Sequence, residues 1–287
     1  MTVIEQMLKK YTINDVNDQK HAIKEIVQEV VLAGLARTDF FKYAAFYGGT
    51  ALRIFYGLNR FSEDLDFTLL SPSNNFEFKK YISAIQNMVE SLGLVFKAKE
   101  KKKSHNATVK SAFLKGNTKE QLLIFYPSSN FRDKIHDNEK IKIKFEIDVN
   151  PPLHATTEFK YRLLPNNYKI RIYDESSLFA GKLHAVLARK WKTRIKGRDF
   201  YDYIFYISQN IAVNLLHLES RLKQTNTIDM DFVLTLDSLK KLLFKRFDEI
   251  DYEAAKLDVI PFIKDTSDLD LWSAEFFKEI TKNIKAI

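Results

Sequence analysis

The chain has 287 residues, of which 45% are hydrophobic and 29% are charged, and this composition excludes an intrinsically disordered protein. It contains no cysteine, which excludes a disulfide scaffold, a thiolate zinc site and a cysteine nucleophile. The formal net charge of +8 favours a polyanionic partner, because Lys and Arg release counterions when they bind phosphates.

The sequence also lacks the pattern of a membrane protein. No segment approaches the run of about 18 apolar residues that crosses a bilayer. The first ten residues place Glu5 ahead of any long apolar run. We therefore expect a soluble, cytoplasmic protein without a signal peptide or a membrane-spanning segment.

The first third of the chain alternates between helical and strand-like patterns. Residues 20–36 carry apolar side chains at helical spacing, which predicts an amphipathic helix. The segment "YGGTALRIFYGL", residues 47–58, predicts a turn and a short helix with Thr50 as its N-cap. Residues 65–70 predict a strand, and residues 77–93 predict a second helix.

The middle of the chain is typical of a sheet, and the last third is typical of helices. Strands are predicted in segments rich in β-branched and aromatic residues, at 107–115, 121–127, 140–150 and 168–174. Helices are predicted from about Ser176 onward, at 176–191, 198–210 and 237–250. The predicted fold class is therefore α/β (α+β), with a core domain over 1–174 and a helical domain over 175–287.

Two acids follow the short helix at the start of the predicted strand: Asp64 directly precedes "LDFTLL", and Asp66 lies within it. Side chains alternate faces along a strand, so Asp64 and Asp66 are expected to point the same way, opposite Leu65. Two such carboxylates repel each other unless a cation lies between them, and hard oxygen ligands suit Mg²⁺. This pattern predicts a magnesium site formed by Asp64 and Asp66.

Gly48 and Gly49 precede the short helix. Their turn exposes main-chain N–H groups at the positive end of the helix dipole, which is a favourable place for phosphate. Beside two metal-binding acids, this turn predicts a site for the phosphates of a nucleotide.

A third carboxylate is expected on the strand "KIKFEIDVN". Lys144, Glu146 and Asp148 share one face of this predicted strand, opposite three apolar residues. We favour Glu146 as the third acid and keep Asp148 as the alternative. Its role would be to complete the metal shell or to take a proton from the attacking hydroxyl.

Two basic segments complete the pattern. Lys182 and Arg189 lie two turns apart in "GKLHAVLAR", and Asp199 follows Arg198 at the start of the next predicted helix. The segment "KAKEKKKSHNATVK", which contains Lys101–Lys103, is a basic loop that could contact an RNA backbone.

These motifs together resemble a known family. "GGTALR" followed by "RFSEDLDF" is similar to the signature of nucleotidyltransferases with a DNA polymerase β-like palm. More narrowly, it resembles the AbiEii/AbiGii toxin family, which includes the MenT toxins. The segments around Glu146 and from Lys182 to "RDFYD" match two further motifs of that family. Thr50 stands where many polymerase β-like enzymes carry serine, so a hydroxyl is retained.

The resemblance implies a fold and a set of site residues. It implies a polymerase β-like palm with a mixed sheet, followed by a helical C-terminal domain that completes the NTP site. The carried-over catalytic residues are Asp64, Asp66, Glu146, Asp148, Lys182 and Asp199, with Asp64, Asp66 and Glu146 as ligands of Mg²⁺. The carried-over NTP-binding residues are Gly48, Gly49, Thr50, Ser62, Lys182, Arg189 and Arg198.

The resemblance also implies an activity and partners. It implies a toxin of a toxin–antitoxin or phage-defence system that transfers a nucleoside monophosphate from an NTP to an RNA, such as the 3′ end of a tRNA. A cognate antitoxin protein is then an expected partner. Two alternatives stay open from the sequence: a small-molecule nucleotidyltransferase that modifies antibiotics, and a noncatalytic partner that binds NTP or RNA.

Overall fold

The computed structural model describes residues 2–73, 75–93, 95–100, 118–126, 141–190 and 195–287. The predicted strand at 107–115 and the basic residues Lys101–Lys103 lie outside these ranges. The chain divides into two compact units. The first unit comprises Met1–Ala51, Ser62–Pro151 and Glu158–Ile172, and the second comprises Leu52–Phe61, Pro152–Thr157 and Tyr173–Ile287.

The first unit is built on a seven-stranded mixed sheet with the strand order β3-β4-β5-β2-β1-β7-β6. Its strands are β1 (Ala44–Tyr47), β2 (Leu65–Leu69), β3 (Val95–Glu100), β4 (Thr118–Tyr126), β5 (Ile141–Asp148), β6 (Thr157–Arg162) and β7 (Tyr168–Tyr173). β2 pairs parallel with β5 and antiparallel with β1, which in turn pairs parallel with β7. β4 pairs antiparallel with both β3 and β5.

Helices and an aromatic cluster form the core of this unit. The helices are α1 (Val3–Leu8), α2 (Val16–Ala36), α3 (Phe40–Tyr43), α4 (Gly48–Tyr56), which continues into the second unit, and α5 (Lys79–Ser91). Phe67 of β2 stacks on Phe145 of β5 with ring centroids 4.6 Å apart. Phe40 of α3 meets both rings edge-on. Because strand residues alternate faces, burying these rings leaves the polar residues between them on the opposite face.

The second unit is mostly helical. Its helices are α6 (Glu175–Ala188), α7 (Gly197–Ser208), α8 (Leu215–Gln224), α9 (Leu236–Phe247), α10 (Tyr252–Val259) and α11 (Ala274–Thr281), with a two-stranded sheet of β8 (Ala212–Val213) and β9 (Lys285–Ala286). The fully buried rings of Phe200, Phe247 and Phe277 pack together at the centre of the unit. Asp174 caps α6 by accepting a hydrogen bond from the main-chain N–H of Ser177 at 2.9 Å.

The predicted mixed α/β class is confirmed, and three strands of the seven-stranded sheet were missed. No strand was predicted at β1, β3 or β6. The predicted cap is wrong, because α4 begins at Gly48, two residues before Thr50.

Within the described ranges, none of the helices combines the length and apolar character needed to cross a membrane. The predicted domain boundary at residues 174 and 175 stays a prediction.

The approach of α7 to α10 requires glycine at position 197. A Cβ at Gly197 would overlap the main-chain carbonyl of Ala255, whereas a Cβ at Gly181 in α6 would meet nothing within 4 Å. We expect Gly197→Ala to lower the free energy of unfolding by about 1–3 kcal/mol, because the helices must move apart. Denaturant titration measures this change.

The matched control is Gly181→Ala. It should leave the free energy of unfolding unchanged or raise it by about 0.5–1 kcal/mol through higher helix propensity. Equal losses of stability in both variants would contradict the proposed packing constraint.

Candidate active site

The first turn of α4 lies against an acid of β2. Gly48 has φ = 84°, in the left-handed region that favours glycine. A Cβ at this position would collide with the carboxylate of Asp66. Glycine is therefore required at position 48 both by the backbone conformation and by the space that Asp66 occupies.

A buried hydroxyl links α4 to the acidic segment that precedes β2, residues 62–64. Thr50 is completely buried, and its Oγ1 donates to the main-chain carbonyl oxygen of Asp64 at 2.5 Å and lies 2.9 Å from Oγ of Ser62. The amide of Gln28 on α2 donates to the carbonyl oxygen of Ser62 at 3.1 Å. Thr50 and Ser62 thus hold the residues before β2 in place. Their predicted contacts with a nucleotide stay predictions.

The parallel pairing of β2 with β5 brings two acids side by side. Asp66 lies directly opposite Glu146, and Thr68 lies opposite Asp148. Directly paired residues share a face of the sheet, so Asp66 and Glu146 are neighbours on the face opposite Phe67 and Phe145. Asp148 lies one pair further along, and its Oδ1 accepts from the main-chain N–H of Asn150 at 3.0 Å. Register therefore favours Glu146 as the partner of Asp66.

Two features near these acids were not predicted. β2 begins at Leu65, so strand alternation does not fix the direction of the Asp64 side chain, and its predicted place beside Asp66 stays a prediction. Lys144 forms an ion pair with Glu146 on the same face of β5. This lysine neutralises one of the two facing carboxylates and so reduces their mutual repulsion.

The chemistry of these donors fits a hard divalent cation. Asp66 and Glu146 present carboxylate oxygens from neighbouring strands, and Mg²⁺ is usually held by one or two carboxylates, with water and substrate phosphates completing its shell. Within the described part of the chain, no group of three or more His, Cys, Asp or Glu side chains is placed to hold a metal ion. The two acids are thus suited to share a cation with a substrate.

The second unit contains a compact cluster of charged side chains. Nζ of Lys182 on α6 lies 2.7 Å from Oδ1 of Asp199 and 2.7 Å from Oδ2 of Asp202, both on α7. Arg189, at the end of α6, also pairs with Asp199. The structure therefore brings together Lys182, Arg189 and Asp199, three of the residues that the family motif carries.

A further member of this cluster is Arg60. Its guanidinium forms two hydrogen bonds of 2.6 Å with the two carboxylate oxygens of Asp202, and both side chains are buried. Asp202 thus joins Arg60 to Lys182. With Arg60, Lys182 and Arg189 set against Asp199 and Asp202, the cluster carries three cations and two carboxylates, an excess of one positive charge that favours an anionic ligand.

The electrostatics of Asp199 follow from these neighbours. Burial alone would raise the pKa of Asp199, but the nearby charges of Lys182 and Arg189, with a hydrogen bond from Lys182, outweigh burial and lower it. Asp199 therefore remains a carboxylate and holds the Lys182 ammonium in a fixed position.

Arg198 has different surroundings. Its guanidinium lies 4.1 Å from the ring centroid of Phe262, and its Nε lies 3.8 Å from a carboxylate oxygen of Asp258. These contacts give Arg198 a packing role beside α10. Its predicted contact with a nucleotide stays a prediction.

Neither Arg60 nor Asp202 was predicted to be a site residue. Arg60 lies two residues before Ser62, inside the quoted motif, and Asp202 ends the quoted "RDFYD". The sequence did contain a hint of their importance, because both are charged residues within motifs that supplied other predicted site residues. Their pairing across 142 residues of sequence could not be read from spacing.

The structure has the features expected of a nucleotidyltransferase: a mixed sheet, paired acids on β2 and β5, and a helical unit. The family model described as "Nucleotidyl transferase AbiEii toxin, Type IV TA system" matches residues 30–279. The chain therefore belongs to the AbiEii nucleotidyltransferase toxin family of type IV toxin–antitoxin systems, as the sequence motifs predicted. No curated protein sequence matches the chain.

Solved structures support the same fold. JHP933 from Helicobacter pylori is 19% identical, with a TM-score of 0.51 over 91% of this chain and 90% of that chain. MenT4, a nucleotidyltransferase toxin from Mycobacterium tuberculosis H37Rv, is 14% identical, with a TM-score of 0.52 over 99% of this chain and 88% of that chain. At these identities the similarity establishes the fold alone.

The contact between Gly48 and Asp66 can be tested with a matched pair of glycines. Gly48 and Gly57 have φ values of 84° and 83°, but a Cβ at Gly57 would meet nothing within 4 Å. Both Ala substitutions should cost about 1–2 kcal/mol of stability through backbone strain. Only Gly48→Ala should also displace Asp66 and reduce nucleotidyl transfer by about a hundredfold. Equal transfer rates in the two variants would contradict the prediction that Asp66 is a catalytic residue.

The buried pair of Arg60 and Asp202 predicts a large stability effect. Asp202→Asn keeps the side-chain volume but removes the carboxylate that forms two hydrogen bonds with the buried guanidinium of Arg60. We expect the free energy of unfolding to fall by about 3 kcal/mol, measured by denaturant titration. The control is Glu279→Gln, which breaks an exposed ion pair with Lys282 and should cost less than about 1 kcal/mol. A loss for Asp202→Asn as small as the control would show that the pair is not important for stability.

Proposed function

We propose that this chain transfers a nucleoside monophosphate from an NTP to the terminal hydroxyl of an RNA, with Mg²⁺ as cofactor and the 3′ end of a tRNA as the expected acceptor. The observation that carries the proposal is the register of β2 and β5, which sets Asp66 opposite Glu146 beside the Gly48 turn. Family membership supports the reaction class.

The carboxylates of the first unit are assigned to metal and catalysis. Asp66 and Glu146 would hold Mg²⁺, with Asp64 as a third ligand implied by the family motif. The ion, when bound, supplies charge neutralisation at the phosphates. Asp66 is positioned by Gly48, and the main chain at Asp64 is held by Thr50. The N–H groups of Gly48 and Gly49 in the first turn of α4 are suited to bind phosphate oxygens.

The cationic cluster of the second unit is assigned to the triphosphate. Lys182 would neutralise charge on the phosphates, and Arg189 would assist it. Asp199 and Asp202 act as positioning residues, since each lies 2.7 Å from the Lys182 ammonium. Because the lysine is already held by two carboxylates, little side-chain ordering remains when an anion binds.

The chemical step is an in-line displacement at the α-phosphorus. The acceptor hydroxyl oxygen forms a new bond to phosphorus, and the bond from phosphorus to the bridging oxygen of the β-phosphate breaks. The electron pair of that bond leaves with pyrophosphate. The hydroxyl proton passes to a carboxylate, for which Glu146 is the first candidate because it lies opposite Asp66, with Asp148 as the alternative.

An RNA acceptor is favoured by charge. The net charge of +8 suits a polyanion, whereas small antibiotic acceptors are often cationic themselves. Toxin-family membership also implies a cognate antitoxin as a partner.

Labelled NTPs test the proposal directly. The protein is incubated with each labelled ribonucleoside triphosphate, Mg²⁺ and total cellular RNA, and the labelled product is sized. We expect label on an RNA species, and we expect Asp66→Asn and Lys182→Ala to reduce labelling by at least about a hundredfold, because both remove charge that stabilises the transition state.

Glu63 provides the matched control for Asp66. It lies in the same acidic segment, but its carboxylate pairs with Lys24 at 2.9 Å, so Glu63→Gln should label RNA like the unaltered protein. Label on a small molecule or on a protein, with none on RNA, would overturn the proposed acceptor. Full activity of Asp66→Asn would overturn the catalytic assignment.

A further inference from the structure

An exposed patch of aromatic and basic side chains lies on the two strands at one edge of the sheet. Phe159 and Tyr161 of β6 are 44% and 68% exposed, although both are large rings. Lys169 and Arg171 of β7 lie beside them: Nζ of Lys169 is 4.0 Å from the ring centroid of Phe159, and Cζ of Arg171 is 4.6 Å from the same centroid. We call these four residues the β6–β7 patch.

The patch lies on the face of the sheet that carries the acids. Phe46 of β1 is paired with both Ile172 and Phe67, so these three side chains share the face that holds the aromatic core. Arg171 and Lys169 alternate with Ile172 and therefore point to the opposite face. Asp66, which alternates with Phe67, points to that same opposite face.

Strand spacing gives the separation of the patch from the acids. β7 is two strands from β2 in the sheet order, and adjacent strands are about 4.8 Å apart. Allowing for the offset along the strands, Arg171 lies roughly 10–15 Å from Asp66. A short single-stranded segment can span this distance.

Protection of a sheet edge does not account for the patch. Lys and Arg are common on edge strands because they discourage pairing with other chains, but exposed aromatic rings have the opposite effect. The alternating residues of this face, from Thr157 to Tyr161 on β6 and from Lys169 to Tyr173 on β7, include no acid. Exposed rings flanked by cations in such a setting favour a ligand with flat bases and phosphates.

We propose that the β6–β7 patch binds the unpaired end of the acceptor RNA and directs it along the sheet face toward Asp66 and Glu146; this inference rests on the proposed function. Bases would stack on Tyr161 and Phe159, while Lys169 and Arg171 contact the neighbouring phosphates. Stacking needs unpaired bases, so the patch selects single-stranded RNA over a duplex.

Binding of a fluorescein-labelled single-stranded RNA dodecamer to the full chain, followed by fluorescence anisotropy, tests the inference. Tyr161→Ala should raise the Kd by about tenfold because a stacking ring is lost, whereas Tyr161→Phe should stay within about twofold. A blunt duplex of the same sequence should compete less well than the single strand. Thermal unfolding of each variant verifies that the fold is retained.

The basic residues are tested through the salt dependence of the Kd. Lys169→Gln should reduce the slope of log Kd against log salt by about one, because one phosphate contact is lost. Lys160→Gln is the matched control, because it removes the same charge from the neighbouring strand β6. Lys160 alternates with Tyr161 and lies on the other face, with Arg162, which pairs with Glu29 of α2. The control should leave the slope unchanged.

Labelled-NTP transfer, measured in parallel on the same variants, separates the inference from the proposed function. If RNA is labelled but Tyr161→Ala and Lys169→Gln bind the dodecamer like the unaltered protein, the patch inference is overturned and the function stands. If the variants weaken RNA binding while no NTP labels RNA, the patch stands and the function fails. An unaltered protein that does not bind the dodecamer overturns the inference.

Discussion

The candidate active site depends on the register between β2 and β5. Phe67 and Phe145 stack at 4.6 Å on one face, and the same register places Asp66 opposite Glu146 on the other. A slip of one residue would move the acids toward the aromatic core and expose the rings, which would cost both the buried apolar area and the solvation of a charge. The hydrophobic core thus fixes the position of the acids without contacting them.

Other residues of the first unit help to hold the acids in this arrangement. Gly48 leaves space for the Asp66 carboxylate, and Thr50 fastens the chain just before β2 through a hydrogen bond to Asp64. Lys144 reduces the repulsion that two neighbouring carboxylates would otherwise experience. None of these three residues has to contact a substrate to affect catalysis, because each controls where an acid lies.

Much of this arrangement could be predicted from local patterns. The alternation in "KIKFEIDVN" placed Glu146 and Asp148 on a polar strand face, and the helical spacing after Ser176 predicted the helical second unit. β1 was missed because its four residues are too short for periodicity to appear. β6 was missed although Phe159 and Tyr161 alternate with charged residues, which is the period-2 pattern that predicts a strand.

Residue pairs that are distant in sequence could not be predicted, for a different reason. The choice of Glu146 over Asp148 required the register with β2, and the partnership of Arg60 with Asp202 required two distant segments to fold together. Spacing within a motif reports which residues share a face of one element. It does not report which elements become neighbours.

The distance in sequence between Arg60 and Asp202 has a consequence for the newly made chain. Leu52–Phe61 belongs to the second unit, although the residues on both sides of it belong to the first. At translation rates of about 5–20 residues per second, the partner of Arg60, 142 residues later, is synthesised on the order of ten seconds afterwards. During that interval the segment has no folded unit to join, so the nascent protein cannot complete its charged cluster until α7 has left the ribosome.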